Sequence, residues 1–112
     1  MAQLRVQAIP LTTISSAILQ ALVYTPINGL GLPNPCFLVR VINNSNQSIT
    51  ISFGGETDSD IVPANSTLDI ATPINTLQNS LGAQFSKGTI IYARGTAGVG
   101  SIGVAGYFQN QP

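Results

Sequence analysis

Residues 35–53, PCFLVRVINNSNQSITISF, contain two short runs in which apolar side chains recur at every second position. A period of two is that of an extended chain with a buried face, so the runs predict β-strands over residues 35–44 and 48–53. The first run is largely apolar on both faces, which favours a central strand. Between the runs lie four residues whose side chains favour turns: Asn44, Ser45, Asn46 and Gln47. The pattern therefore predicts a β-hairpin.

Six further strand signals, most of them bounded by Gly, Pro, Asn or Ser, predict strands over residues 3–9, 14–24, 60–62, 66–70, 89–95 and 101–109. The last two predict a second hairpin across a glycine-rich link. Residues 14–24 also fit a helical period, but their β-branched and aromatic side chains favour a strand.

One short helix is predicted after residue 72, because Thr72 is a suitable cap, Pro73 suits the first helical position and Gly82 ends the apolar pattern. Eight short strands predict an all-β fold. We expect residues 1–112 to form one domain, an antiparallel, eight-stranded, jelly-roll-like β-sandwich with at most this one helix.

The chain is poor in ionised side chains. Four Lys or Arg and four Asp or Glu residues make up 7% of the 112 residues and give a net charge of zero, against about 25% charged residues in an average soluble protein. Soluble domains usually stay apart through net charge, so this composition predicts a subunit of a larger assembly. A monomer coated with Asn, Gln, Ser and Thr is the open alternative. The four cations are scattered along the sequence, and we expect no nucleic-acid binding.

The chain also lacks the usual catalytic residues. It has no His, one Cys (Cys36, expected to be buried) and one Lys, so the ordinary bases and metal ligands are missing and we expect no enzyme, no cofactor and no catalytic or metal residue. Gly98–Gly103 spells GxGxxG, but a strand follows it and no acidic residue does, which favours a hairpin loop over a nucleotide site. Residues 14–24 are too short and polar to span a membrane.

Three of the four carboxylates lie close together at Glu56, Asp58 and Asp60. Their spacing does not match a calcium-binding loop, in which acids or amides alternate up to a glycine at the sixth position. We expect a solvated polar hairpin corner after Gly54 and Gly55, with a bound cation as the open alternative.

The segments NPCFLVRVINNSNQSITISFGGETDSDIVPANSTLDI and FSKGTIIYARGTAGVGSIGVAGYF resemble a group of small tailed-phage virion proteins. The shared features are an Asn-rich turn and the patterns ISFDG-T-D-D-VPA and KGT-IYV-G-AGTG-V. The likeness covers residues 35–108, and Gly54 departs from it because the group has Asp there.

The resemblance implies a structural role in the virion, assembled in the host cytoplasm. The protein would be a capsid decoration or cement protein that stabilises the phage head by contacts with the major capsid protein or other virion proteins. A homo-oligomer is expected, with a trimer favoured. A vertex, neck or tail-associated fibre base or adaptor is the alternative. A carbohydrate-binding module is a further one, weakened by the absence of Trp.

Loops often form the contacts of a small domain, so the irregular segments are the predicted interface. These are the N-terminal segment, the loop 28–34 and the loop 75–84. The predicted contact residues are Gln3, Arg5, Asn28, Leu30, Leu32, Asn34, Leu77, Asn79, Leu81 and Gln84.

Overall fold

The computed structural model describes residues 5–71 and 85–110, which form two antiparallel β-sheets around one core. Sheet A has the spatial order β1 (Arg5–Ala8), β9 (Gly100–Asn110), β4 (Leu38–Ser45) and β7 (Ser66–Ala71), and β2 (Thr12–Ser15) also pairs with β9. Sheet B has the order β3 (Thr25–Pro26), β8 (Tyr92–Arg94), β5 (Ile49–Ser52) and β6 (Asp60–Val62). The predicted all-β class is confirmed, and the two sheets are consistent with a β-sandwich.

The core contains the faces that the alternation predicts. Val39 and Val41 of β4 and Ile51 of β5 are fully buried, with Ile102 and Val104 of β9 beside them. Each such side chain contributes about 1.5–3 kcal/mol to stability through its removal from water. Cys36 is buried as expected, and burial raises the pKa of its thiol.

The hairpins predicted over residues 35–53 and 89–109 do not form, whereas the polar corner predicted after Gly54 and Gly55 does join two paired strands, β5 and β6. The strands β4 and β5 lie in different sheets, and so do β8 and β9, so each connection is an arch between the sheets. The connection from β6 to β7 crosses in the same way. Both edges of β4 are already paired, with β7 and with β9, which leaves β5 no place beside it. Among the described strands, only β5 and β6 are neighbours in sequence that pair with each other.

Residues 14–24 do not form the predicted strand. Only the part up to Ser15 is extended, in β2, and a one-turn 3-10 helix, Ser16–Ile18, follows. The Ser15 hydroxyl accepts a hydrogen bond from the Ala17 amide at 3.2 Å, which turns the chain away from sheet A. The predicted helix after residue 72 lies outside the described residues. No described helix is long and apolar enough to cross a membrane.

The strands β1 and β2 are two parts of one edge, separated by a bulge. Ala8 is opposite Tyr107 and Thr12 is opposite Val104, so residues 9–11 face only residues 105 and 106. An extra residue of this kind disrupts the ladder locally and bends the edge. Pro10, which lies in the bulge, also has no amide hydrogen to donate.

One buried asparagine connects two of the arches. The Asn43 amide nitrogen donates to the carbonyl oxygens of Gln47 (2.9 Å), Val62 (3.1 Å) and Pro63 (3.0 Å). Its oxygen accepts from the Ser45 amide at 3.2 Å and from the Ser45 hydroxyl at 2.6 Å. The Asn43 side chain therefore holds the β4–β5 arch against the end of β6.

Candidate functional site

The acidic loop of residues 53–59 joins β5 to β6 and folds over the outer face of sheet B. The Ser52 hydroxyl accepts from the Gly54 amide (3.3 Å) and the Gly55 amide (2.9 Å). Gly55 has φ +75° and lies against the Tyr92 ring, where a Cβ atom would be 3.2 Å from the ring carbons. A glycine at this position allows both the left-handed backbone and the close approach.

Asp58 of this loop is exposed, as expected, but it is also paired with a cation. The Arg94 guanidinium binds both of its carboxylate oxygens, at 3.0 Å through Nε and 2.6 Å through Nη2, and the Tyr24 hydroxyl donates to the same carboxylate. Arg94 also donates to the Ala21 carbonyl at 2.8 Å. These contacts fasten the acidic loop to β8 and to the segment before β3.

The electrostatics of the cluster follow from these hydrogen bonds. The guanidinium of Arg94, and then the Tyr24 hydroxyl, lower the pKa of Asp58 from 3.8 to about 2. The hydrogen bond to Asp58 raises the pKa of Tyr24. At neutral pH, Asp58 is therefore ionised and Tyr24 protonated. A carboxylate with so low a pKa is a poor general base, because efficient proton transfer requires a pKa near the working pH.

The three acidic residues have different environments. Asp58 is paired, an Asp60 carboxylate oxygen accepts from the neighbouring Ile61 amide at 2.8 Å, and Glu56 is exposed. An open depression of about 400 Å³ lies between the loop and β6, lined by Thr50, Asp58, Ser59, Asp60, Ile61 and Arg94. Within residues 5–71 and 85–110, no three acidic or Cys side chains are grouped so as to hold a metal ion.

A second Arg–Asp–Tyr cluster lies on the outer face of sheet A. Arg40 of β4 binds Asp69 of β7 through two hydrogen bonds, at 2.7 Å and 3.2 Å, which lower the pKa of Asp69. The Arg40 guanidinium also lies 5.9 Å from the centre of the Tyr107 ring. The two clusters pair four of the eight charged side chains of the protein, so the surface carries even fewer unpaired charges than the composition indicates.

Each of the three tyrosine rings has a close neighbour. Arg94 lies 5.9 Å from the centre of the Tyr24 ring, as Arg40 does from that of Tyr107, and Gly55 lies against Tyr92. One face of each ring is therefore covered.

The predicted contact residues have mixed positions. Leu30 is fully exposed at the tip of its loop, whereas Leu32 is buried in the core. Asn28 is also buried, and its side chain binds the Thr89 carbonyl and the Ile91 amide, so Asn28 and Leu32 serve the fold. Asn34 is half-buried. Arg5 begins β1, with its side chain outside the described part. The other predictions lie outside the described residues: Gln3, Leu77, Asn79, Leu81 and Gln84.

Two neighbouring loops form an apolar surface that was not predicted from the sequence. Its large side chains are Ile18, Leu22, Val23 and Val99, and exposure reaches 89% at Leu22 and 77% at Val99. We call these four residues the apolar loop surface. The loops 16–24 and 95–99 that form it contain no charged residue.

Backbone hydrogen bonds hold the two loops together. The Gly98 amide donates to the Ser16 carbonyl at 3.2 Å and the Gly95 amide to the Gln20 carbonyl at 3.0 Å, while the Val99 carbonyl accepts from the Asn46 amide at 3.2 Å. These bonds fix the loops before any partner binds, which lowers the entropy cost of binding.

Comparisons with protein-family models, with curated proteins and with solved structures find no match for this chain.

Proposed function

We propose that the protein is a structural component of a virus particle, a decoration or cement protein that stabilises the capsid through protein–protein contacts. The observation on which this rests is the apolar loop surface, where large side chains are exposed on two loops that contain no charged residue. Exposed apolar patches on a soluble domain commonly mark interaction sites. Clusters of such residues form the dry centre of protein interfaces.

The strand order supports a jelly roll, an architecture common among viral capsid domains. If the bulged edge β1–β2 is counted as one strand, each sheet has four strands. Among the described strands, six connections between consecutive strands change sheet, namely β2–β3, β3–β4, β4–β5, β6–β7, β7–β8 and β8–β9, and β9 lies in the interior of sheet A. The sequence-based prediction also has eight strands, but it counts the regions of β1 and β2 separately and does not include β3, so the two sets do not correspond strand by strand.

The charge distribution supports the same role. Binding removes water from surface groups, and an unpaired ion is costly to desolvate. Here Arg94 and Asp58, the ionised groups nearest the loops 16–24 and 95–99, already neutralise each other. A partner surface can therefore cover the apolar loop surface without burying an isolated charge.

The test uses phage particles that lack the protein, to which purified protein is added back. We expect particles without it to release DNA at a lower temperature and after milder osmotic shock, and wild-type protein to restore resistance. Leu22→Ser and Val99→Ser should each weaken particle binding at least about fivefold, since truncating a central contact residue costs at least about 1 kcal/mol.

Ile61→Ser is the matched control, because Ile61 is exposed on β6, outside the apolar loop surface. Equal binding by all three variants would exclude this surface as the contact. Equal resistance of particles with and without the protein would exclude the cement role. The number of copies per particle separates a lattice protein, with hundreds of copies, from a vertex, neck or tail component, with a few dozen or fewer.

A further inference from the structure

The edges of the two sheets differ in how well they are protected. An edge strand has unpaired backbone amides and carbonyls that recruit other strands, and natural proteins block this with short strands, prolines, bulges or charges. Among the described strands, the edges are β1 with β2 and β7 in sheet A, and β3 and β6 in sheet B.

Three of these four edges are blocked. The β1–β2 edge is interrupted by its bulge at Pro10. The strand β3 has only two residues, one of which is Pro26. The strand β6 has three residues, is followed by Pro63, and has its Ile61 amide bonded to the Asp60 side chain.

The fourth edge, β7, has none of these devices. Its six residues contain no Pro, Gly or Lys, and its pairing with β4 runs without a bulge from Ser66 to Ala71. Its one charge, Asp69, is neutralised by Arg40. Within the described residues, β7 pairs only with β4. Leu68 and Ile70 pack against the core but remain partly exposed at this edge.

We propose that β7 pairs antiparallel with β7 of a second copy of this chain, so that the two A sheets form one continuous sheet. In such a pair, opposite residues point to the same face. A two-fold axis perpendicular to the sheet must therefore place one residue opposite the same residue of the second copy. The two residues at the centre of β7 are Leu68 and Asp69. Centring on Asp69 places two carboxylates opposite each other, which is unfavourable. Centring on Leu68 places the two leucines together and Asp69 opposite Thr67 of the second copy.

This register favours a second copy of the chain as the partner of the β7 edge. One strand supplies both halves of each pair, a carboxylate opposite a hydroxyl on the outer face and leucine opposite leucine on the core face. The pairing would also cover the partly exposed Leu68 and Ile70. It makes a two-fold dimer in place of the trimer implied by the phage resemblance. The dimer does not depend on binding to a capsid, so this proposal can fail independently of the proposed function.

The test replaces Thr67, which is exposed on the outer face. Thr67→Asp places like charges opposite each other at two symmetry-related positions, whereas Thr67→Lys places opposite charges there. By sedimentation equilibrium of the full chain, we expect the dissociation constant to rise roughly 2- to 30-fold for Thr67→Asp and to stay level or fall for Thr67→Lys. Thr13→Asp, the same change on exposed β2, is the control and should leave association unchanged.

Hydrogen exchange gives a second measurement that does not depend on a variant folding. Outward β7 amides should exchange more slowly as the protein concentration rises through the dissociation constant, while β6 amides should not change. A chain that stays monomeric at all concentrations, a trimer, or equal responses to Thr67→Asp and Thr67→Lys would each overturn the proposal. If the β7 amides became protected from exchange only when phage particles were added, the edge would bind another protein, and the dimer proposal would be overturned as well.

Discussion

Replacing Asn43 with Ala should be among the most damaging single changes in the protein. The Asn43 side chain is buried and is bonded to the carbonyls of Gln47, Val62 and Pro63 and to Ser45. Truncation leaves these groups without their partner, and each unsatisfied buried group costs about 1–3 kcal/mol. Water entering the new space would satisfy some of them. We expect a net loss of about 3–5 kcal/mol, a large part of the 5–15 kcal/mol typical of a domain.

The measurement is urea unfolding followed by circular dichroism, with the slope checked for two-state behaviour. Asn44→Ala is the matched control, because Asn44 is the next residue and its side chain is exposed. We expect that control to change the unfolding free energy by at most about 0.5 kcal/mol. A loss for Asn43→Ala no greater than that of the control would refute the reasoning.

Asn43→Asp keeps the shape but removes both donors and sets a negative charge against three carbonyl oxygens. At pH 7 we expect Asn43→Asp to have a lower unfolding free energy than Asn43→Ala. Burial and the carbonyls would raise the pKa of the new carboxyl in the folded state above its unfolded value. Its penalty should therefore shrink as the pH falls through that raised pKa, because the protonated acid is neutral and regains a donor.

Three further outcomes are expected. The folded pKa of Asp58, about 2, lies below its ordinary 3.8, so its stabilising contribution is present above about pH 4 and is lost as the pH falls through 2; the difference in Tm between wild type and Asp58→Asn should therefore disappear over that range. Gly100→Ala should lower the unfolding free energy by about 2 kcal/mol, because Gly100 has φ +128° and an added Cβ would overlap the Asn44 carbonyl oxygen; denaturant midpoints that match wild type would contradict this. Ser16→Ala should raise it by about 1 kcal/mol, since the Ser16 hydroxyl is buried without a partner among the described residues; a loss of stability by calorimetry would argue against that reading.

Local pattern was sufficient to predict most of the strands and their buried faces, although it missed β3 and extended β2 nine residues too far. Whether Val39 or Ile51 points inward depends on the alternation of near neighbours, which is visible in the sequence. The partner of each strand is not visible in this way, because the pairing of β4 with β9 joins residues about sixty positions apart. Of the four predicted turn residues, Asn44 and Ser45 belong to β4, and the chain bends at Asn46 and Gln47 before it enters the other sheet.

The candidate site was predicted less well for the same reason. Asp58 is 34 residues from Tyr24 and 36 from Arg94, so no local motif indicated their contact. The apolar loop surface was missed because residues 14–24 were assigned to a strand, in which half the side chains would be buried. The Ser and Gln residues that interrupt this run were a signal that the strand ends early.

The position of β9 in the middle of sheet A has a consequence for the order of folding during synthesis. Among the described strands of that sheet, all except β7 pair with β9, and β9 comes after all of them in the sequence. The ladder groups of β1 and β2 therefore stay unpaired until β9 has been synthesised. A chain released after Val99 should consequently show no cooperative unfolding transition, even though it contains eight of the nine strands that the structure describes.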